Sequence, residues 1–257
     1  MKLEIDINCD LGESYGAFKI GNDAKIMPHI TSANIACGFH AGDPMTIAQT
    51  VSLAKRHNVA VGAHPGFPDL MGFGRREMRL TPEEVKNCVI YQVGALQGFA
   101  KTVGIELQHV KPHGALYNMA AEDEKLSKAI TEAAKALDPR LIMFAPPNSA
   151  SAKIAAEAGL RVAYEFFADR AYNPDGSLVS RKQPKSVIEE PSVVVERAAQ
   201  AVLEGKVAAI SGEIVNLGEV HTICVHGDTP TAVKLAEALK KGLKTKGVEV
   251  KPVGTFL

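Results

Sequence analysis

Short apolar runs alternate with longer segments of helical pattern along the whole chain, and this alternation restricts the fold more than any other feature. Seven runs have the length and composition of strands: residues 3–8, 33–38, 59–63, 107–110, 141–145, 161–167 and 222–225. An eighth candidate, 207–210, is short and rich in Ala. The gaps suit βα units, which give a parallel sheet. Asp43-Pro44, Thr81-Pro82, Glu190-Pro191 and Thr229-Pro230 each place Pro at an expected first helical position. Thr81-Pro82-Glu83-Glu84 also reads as a capping box, opening a long helix. No Gly/Ser linker or low-complexity stretch divides the chain, so one domain over residues 1–257 is expected. That length is large for an ordinary domain and normal for an α/β barrel.

The polar residues collect at the downstream ends of the runs. The first ends in Asn8-Cys9-Asp10-Leu11-Gly12-Glu13, and the second leads through Gly38 to His40 and Asp43. The third ends at His64, the fourth in His109-Val110-Lys111-Pro112-His113-Gly114. The sixth holds Glu165 and leads to Asp169, and the last ends in Cys224-Val225-His226-Gly227-Asp228. In a parallel barrel all these ends lie on one face, which carries the chemistry.

Strand parity sharpens the picture, because side chains alternate faces with a period of two. Asp6, Asn8 and Asp10 share a face against Ile5 and Ile7. His109, Lys111 and His113 share one against Val110 and Pro112, and Thr222, Cys224, His226 and Asp228 one against Ile223 and Val225. An open, doubly covered sheet calls for near-continuous apolar strands. The alternation therefore favours a closed barrel with a polar mouth.

Four histidines at equivalent strand ends, His40, His64, His113 and His226, suit proton transfer near neutral pH or metal ligation. His29, His57 and His221 lie elsewhere and read as structural; His109 is inward but deeper. Asp10, Glu13, Glu165 and Asp169 supply carboxylates, with Asp10 foremost as an acid–base candidate. Asp43 reads as a helix cap, and Asp228 as a cap for the last helix. Carboxylates and imidazoles together could bind a divalent metal or work without one, and spacing does not choose. No HExxH motif is present, and no metal ligand is assigned. Lys111 could hold a phosphate or carboxylate, or act as a base of depressed pKa. Arg75 and Arg76, in a Gly-rich loop, suit phosphate or carboxylate recognition, or simple solvation.

Other classes are disfavoured. The balance of 29 basic and 29 acidic residues gives no reason to expect nucleic acid or an anionic membrane as partner. The N-terminal string Met-Lys-Leu-Glu-Ile-Asp-Ile-Asn lacks a signal-peptide core, and no run approaches the roughly 18 apolar residues of a membrane span. Four scattered cysteines make no CxxC pair, so the cytoplasm is the expected compartment. There is no P-loop, and the lone GxG at Gly72 and Gly74 lies in a loop. Gly12-Glu13-Ser14-Tyr15-Gly16 matches the nucleophile-elbow pattern, but no clear helix follows, so Ser14 reads as a loop residue. Two long irregular segments, 65–80 and 168–191, are either binding loops or solvated excursions.

Several of these strings, in this order, resemble the LamB/YcsF family of 5-oxoprolinase A subunits. They are Asn8 to Glu13, Ser32 to Asp43, Gly72-Phe73-Gly74-Arg75-Arg76, Val110 to Asn118, and Cys224 to Asp228. The resemblance covers nearly the whole chain and shows no departure at these positions. It implies an irregular seven-stranded β/α barrel of TIM-like form, like that of the glycoside hydrolase/deacetylase superfamily. It further implies ATP-dependent opening of 5-oxoproline to L-glutamate, with ATP as co-substrate, magnesium accompanying it, and subunits B and C as partners. Against that reaction, Asp10, His64, Lys111 and His113 are the expected catalytic groups. Glu13, His40, Arg75, Arg76, Glu165, Asp169 and His226 are expected to bind substrate or nucleotide. The competing expectations are a metal-dependent deacetylase or amidohydrolase, and a binding subunit without catalysis of its own.

Overall fold

A computed structural model describes residues 3–257; Met1 and Lys2, which open the N-terminal string, lie outside the described residues. Among the described residues ten strands form in chain order: β1 Glu4–Leu11, β2 Ser32–Ala36, β3 Ala60–His64, β4 His109–Val110, β5 Ile142–Ala145, β6 Arg161–Phe167, β7 Lys206–Ala208, β8 Ile214–Asn216, β9 Thr222–His226 and β10 Glu249–Val250. The first six pair side by side, and β9 pairs with both β6 and β1. Seven parallel strands therefore close into a ring.

Eight helices surround it: α1 Asp23–Ile26, α2 Pro44–His57, α3 Pro82–Thr102, α4 Gly114–Glu122, α5 Glu124–Leu137, α6 Ala150–Glu157, α7 Pro191–Glu204 and α8 Ala232–Thr245. The cap chemistry read from the sequence starts two of them. The Asp43 carboxylate accepts from the Met45 and Thr46 amides, with Pro44 in the first turn of α2. Thr81 and Glu84 cap each other's backbone at α3, satisfying amides that have no partner within the helix.

The parity prediction holds. Ile5, Ile7, Val61, Val110, Ile223 and Val225 are fully buried in the apolar layer. Each such side chain contributes about 1.5–3 kcal/mol relative to exposure. On the other face Asp6 accepts hydrogen bonds from the hydroxyls of Ser32 and Thr222, and Asn8 donates to Glu165, across the barrel interior.

Three local expectations are corrected. The run 207–210 does not join the barrel: β7 pairs antiparallel with β8 in a separate hairpin. The chain reverses at once after Ala208, closing through the Ala209 amide to the Glu213 carbonyl, so it has no crossover to enter a parallel ring. Thr229-Pro230 does not open the last helix. The Thr229 hydroxyl donates to the His226 carbonyl, a turn that delays α8 to Ala232. Asp228 caps nothing there, because its carboxylate is taken by Arg75 at 2.6 Å. Two short strands escaped the sequence reading: β8, the antiparallel partner of β7, and β10, which runs beside the first two residues of β1, below the contact of β1 with β9.

Candidate active site at the strand ends

The barrel interior is a stack of polar layers. Asp6 is lowest, held by the hydroxyls of Thr31, Ser32 and Thr222 at 2.5–2.7 Å. Burial nevertheless pushes its carboxyl up to about 6. Above it, Asn34 donates to Asn8 and Asp10, and its side-chain oxygen faces His109 Nε2 at 2.7 Å. Burial drives His109 down to about 3, so the ring is neutral.

Lys111 occupies the centre, only 2% exposed. Its ammonium lies 2.9 Å from Asp10 Oδ1 and 2.8 Å from Glu165 Oε1, and donates to Asn8 Oδ1 and Cys224 Sγ. Burial would strip its proton, but Asp10, Cys224 and Glu165 outweigh that and hold it well above the usual lysine range. Of the two roles read from sequence, the geometry supports the fixed cation and not the base of depressed pKa. Burial would likewise raise Asp10, yet His64 and Lys111 beside it hold its carboxyl well below the usual range. Glu165 is completed by Tyr117, whose hydroxyl donates to Oε2 at 2.7 Å.

Three histidines crowd the next layer. His64 Nε2 is 3.4 Å from Asp10 Oδ2 and 2.9 Å from His113 Nδ1. His40 and His113 stack with ring centres 3.7 Å apart. Burial drives both of these rings well below the usual imidazole range. Glu13 Oε1 lies 3.7 Å from both His40 Nε2 and His113 Nδ1. Burial, with Asp10 and Asp228 nearby, pushes the Glu13 carboxyl well above the carboxylate range. At the side of the mouth both Asp169 oxygens accept from His226 Nδ1 at 2.9 Å, which fixes that tautomer.

The segment 65–80 covers this layer. His113 Nε2 donates to the Phe73 carbonyl, Arg75 lies over the Phe73 ring, and the Ala115 amide donates to the Gly74 carbonyl. Gly74 must be glycine: its φ is +62°, and a Cβ there would come within 2.7 Å of the His40 Cβ. The second long segment, 168–191, supplies Asp169 and is tied down by the buried Arg170, which donates to Ser186 and Val179 carbonyls.

Ten of the eleven site residues expected from sequence thus gather at one end of the barrel. Arg76 does not join them: its guanidinium pairs with Asp69 inside the loop. Ser14 binds Ile20 through its hydroxyl, as a loop residue would. Asn34, Tyr117 and Cys224 were missed as contact residues. Parity marked Cys224, and the same rule applied to β2 would have found Asn34. Tyr117 lies in the first turns of α4, where no strand-end pattern could point to it.

A closed parallel barrel whose strand ends converge on a buried lysine, carboxylates and histidines is the architecture of a β/α-barrel enzyme. The sequence profile of the LamB/YcsF family matches residues 5–257, and the chain belongs to that family. It is 55% identical over 255 residues to the 5-oxoprolinase A subunit of Pyrococcus abyssi, covering 99% of this chain and 100% of that one. The protein of the same name from Coprothermobacter proteolyticus is 58% identical, covering 97% and 95%. The crystal structure of the lactam utilization protein from Thermus thermophilus superposes with a TM-score of 0.91 at 50% identity, covering 96% of this chain and 99% of that one. Among the described residues no helix is long and apolar enough to cross a membrane.

Proposed function

We propose that the chain is the A subunit of an ATP-dependent 5-oxoprolinase, acting in the cytoplasm with partner subunits B and C. The names of its full-length relatives support the assignment. The observation that carries the chemistry is the Lys111 ammonium fixed between Asp10 and Glu165, next to His64 and His113.

A lactam carbonyl is a poor electrophile. Transfer of the ATP γ-phosphoryl group to the lactam oxygen releases ADP and leaves an activated carbon. Water adds there, the ring nitrogen takes a proton and leaves, and the resulting acyl phosphate is hydrolysed by a second water to L-glutamate and phosphate. Magnesium enters with the nucleotide. Lys111 and Arg75 supply positive charge for the developing oxyanions. Asp10 moves protons from water and to the ring nitrogen, with His64 and His113 beside it orienting the reacting groups. Glu13, His40, Glu165 and the Asp169–His226 pair shape the pocket around the substrate, while Arg76 holds the covering loop through Asp69.

The test is phosphate release from ATP with and without 5-oxoproline, for the chain alone and with B and C subunits added. The proposal expects 5-oxoproline-stimulated hydrolysis, and matching glutamate, in the full assembly. ATP cleavage indifferent to 5-oxoproline, or glutamate formed without ATP, would refute it.

A further inference from the structure

The tautomers of two buried histidines are fixed by their neighbours. His64 Nδ1 lies 2.7 Å from the Lys111 carbonyl, and His113 Nε2 lies 2.8 Å from the Phe73 carbonyl. A carbonyl only accepts, so each of these nitrogens carries the hydrogen. In a neutral imidazole the other nitrogen is then a lone pair. Those other nitrogens, His64 Nε2 and His113 Nδ1, face each other at 2.9 Å. Two lone pairs repel at that distance unless something electropositive lies among them.

The surrounding atoms have the same polarity. Glu13 Oε1 is buried without a hydrogen-bond partner, 3.7 Å from His113 Nδ1. Asp10 Oδ2 is 3.4 Å from His64 Nε2. His40, fully buried, has no hydrogen-bond partner at either ring nitrogen. One donor atom each from Glu13, His40, His64 and His113 falls within 4.8 Å of the others.

We infer that Glu13, His64 and His113 hold a divalent transition-metal ion through Glu13 Oε1, His64 Nε2 and His113 Nδ1. Metal–ligand bonds of about 2.0–2.1 Å in a tetrahedron place ligand atoms roughly 3.4 Å apart. The separations of 2.9 Å and 3.7 Å around His113 Nδ1 bracket that edge. The backbone carbonyls on the far side of both rings are the supports that metal-binding histidines use. His40 is excluded as a fourth ligand in this arrangement. Its ring lies 3° from parallel to that of His113, so their in-plane lone pairs cannot meet at one ion. Three protein ligands leave an open position, with Asp10 beside it, as catalytic sites do and closed structural sites do not. Two imidazoles and a carboxylate select an ion such as zinc, cobalt or manganese over calcium or magnesium. Such an ion would polarise a carbonyl or phosphoryl oxygen. The inference stands independently of whether the chain opens a lactam.

The test uses the full chain, stripped with a chelator and titrated separately with zinc and cobalt. Calorimetry, elemental analysis and the visible spectrum of bound cobalt serve as readouts. A single ion per chain is expected, with a cobalt spectrum of low coordination number. Glu13→Gln, His64→Ala and His113→Ala should each weaken binding by more than about tenfold. The distant His221→Ala variant should bind as the parent does. If His64→Ala or His113→Ala does not fold, competition titration of the parent decides by the cobalt spectrum, which must carry the bands of imidazole ligation. No binding above background, or binding unaltered in the variants, overturns the inference in favour of a proton shared between the two rings.

Discussion

Lys111 shows how a single buried charge organises its surroundings. Asp10 and Glu165 both depend on it, and among the described residues neither has another cation as close. Lys111→Met should leave two carboxylates facing each other and cost about 3–5 kcal/mol, measured by urea denaturation. Adding Glu165→Gln should recover part of that loss; a single-variant cost below about 1 kcal/mol would contradict the pairing. Asp6 makes the opposite contribution. Its folded value, about 6, lies above its ordinary 3.8. Its stabilisation is therefore complete below the ordinary value and is lost as pH rises through 6. Asp6→Asn should flatten the fall in stability between about pH 4 and 6, by up to about 3 kcal/mol. An unchanged pH profile would show that the hydroxyls around Asp6 offset its burial completely. At this scale Asp10, Lys111, His113 and His226 were legible, because alternation alone turns them inward. Arg76 was not, because a Gly-rich loop has no period to say that Asp69 would claim it.

The elements were legible where local chemistry alone starts them. The box at Thr81 and Glu84 needs only its own four residues, and α3 begins there. Thr81→Ala should cost about 1 kcal/mol in thermal or urea unfolding, with no change in ligand binding. Thr229-Pro230 misled because its hydroxyl found a carbonyl at the strand end, a tertiary circumstance. The segment 207–210 misled because a hydrophobic run does not record the direction of its partner strand. Loop 65–80 was undecided between a binding loop and a solvated one; its Phe73 and Gly74 carbonyls anchor it over the histidines. The ion pair from Arg75 to Asp228 joins that loop to the end of β9 across the mouth. Asp228→Ala should release it, seen as severalfold faster chymotrypsin cleavage after Phe73. Unchanged cleavage would mean that the backbone anchors alone hold the loop shut.

Across the molecule, ring closure converts six separated polar strings into one site. The sequence could show that each string ends a strand, but only the pairing of β9 with both β1 and β6 brings Asp10, Glu165 and Cys224 around one lysine. The depth of the site follows from the same closure, since the interior polar face is walled by the strands and covered by the loop that carries Phe73. On the proposed function, this buried cluster performs the lactam opening. Its most direct test is 5-oxoproline-dependent phosphate release by the assembled A, B and C subunits, comparing the parent with Asp10→Asn and His64→Ala after circular dichroism confirms folding. A fall of about 100-fold or more is expected in both variants; turnover near the parental rate in both would place the chemistry elsewhere.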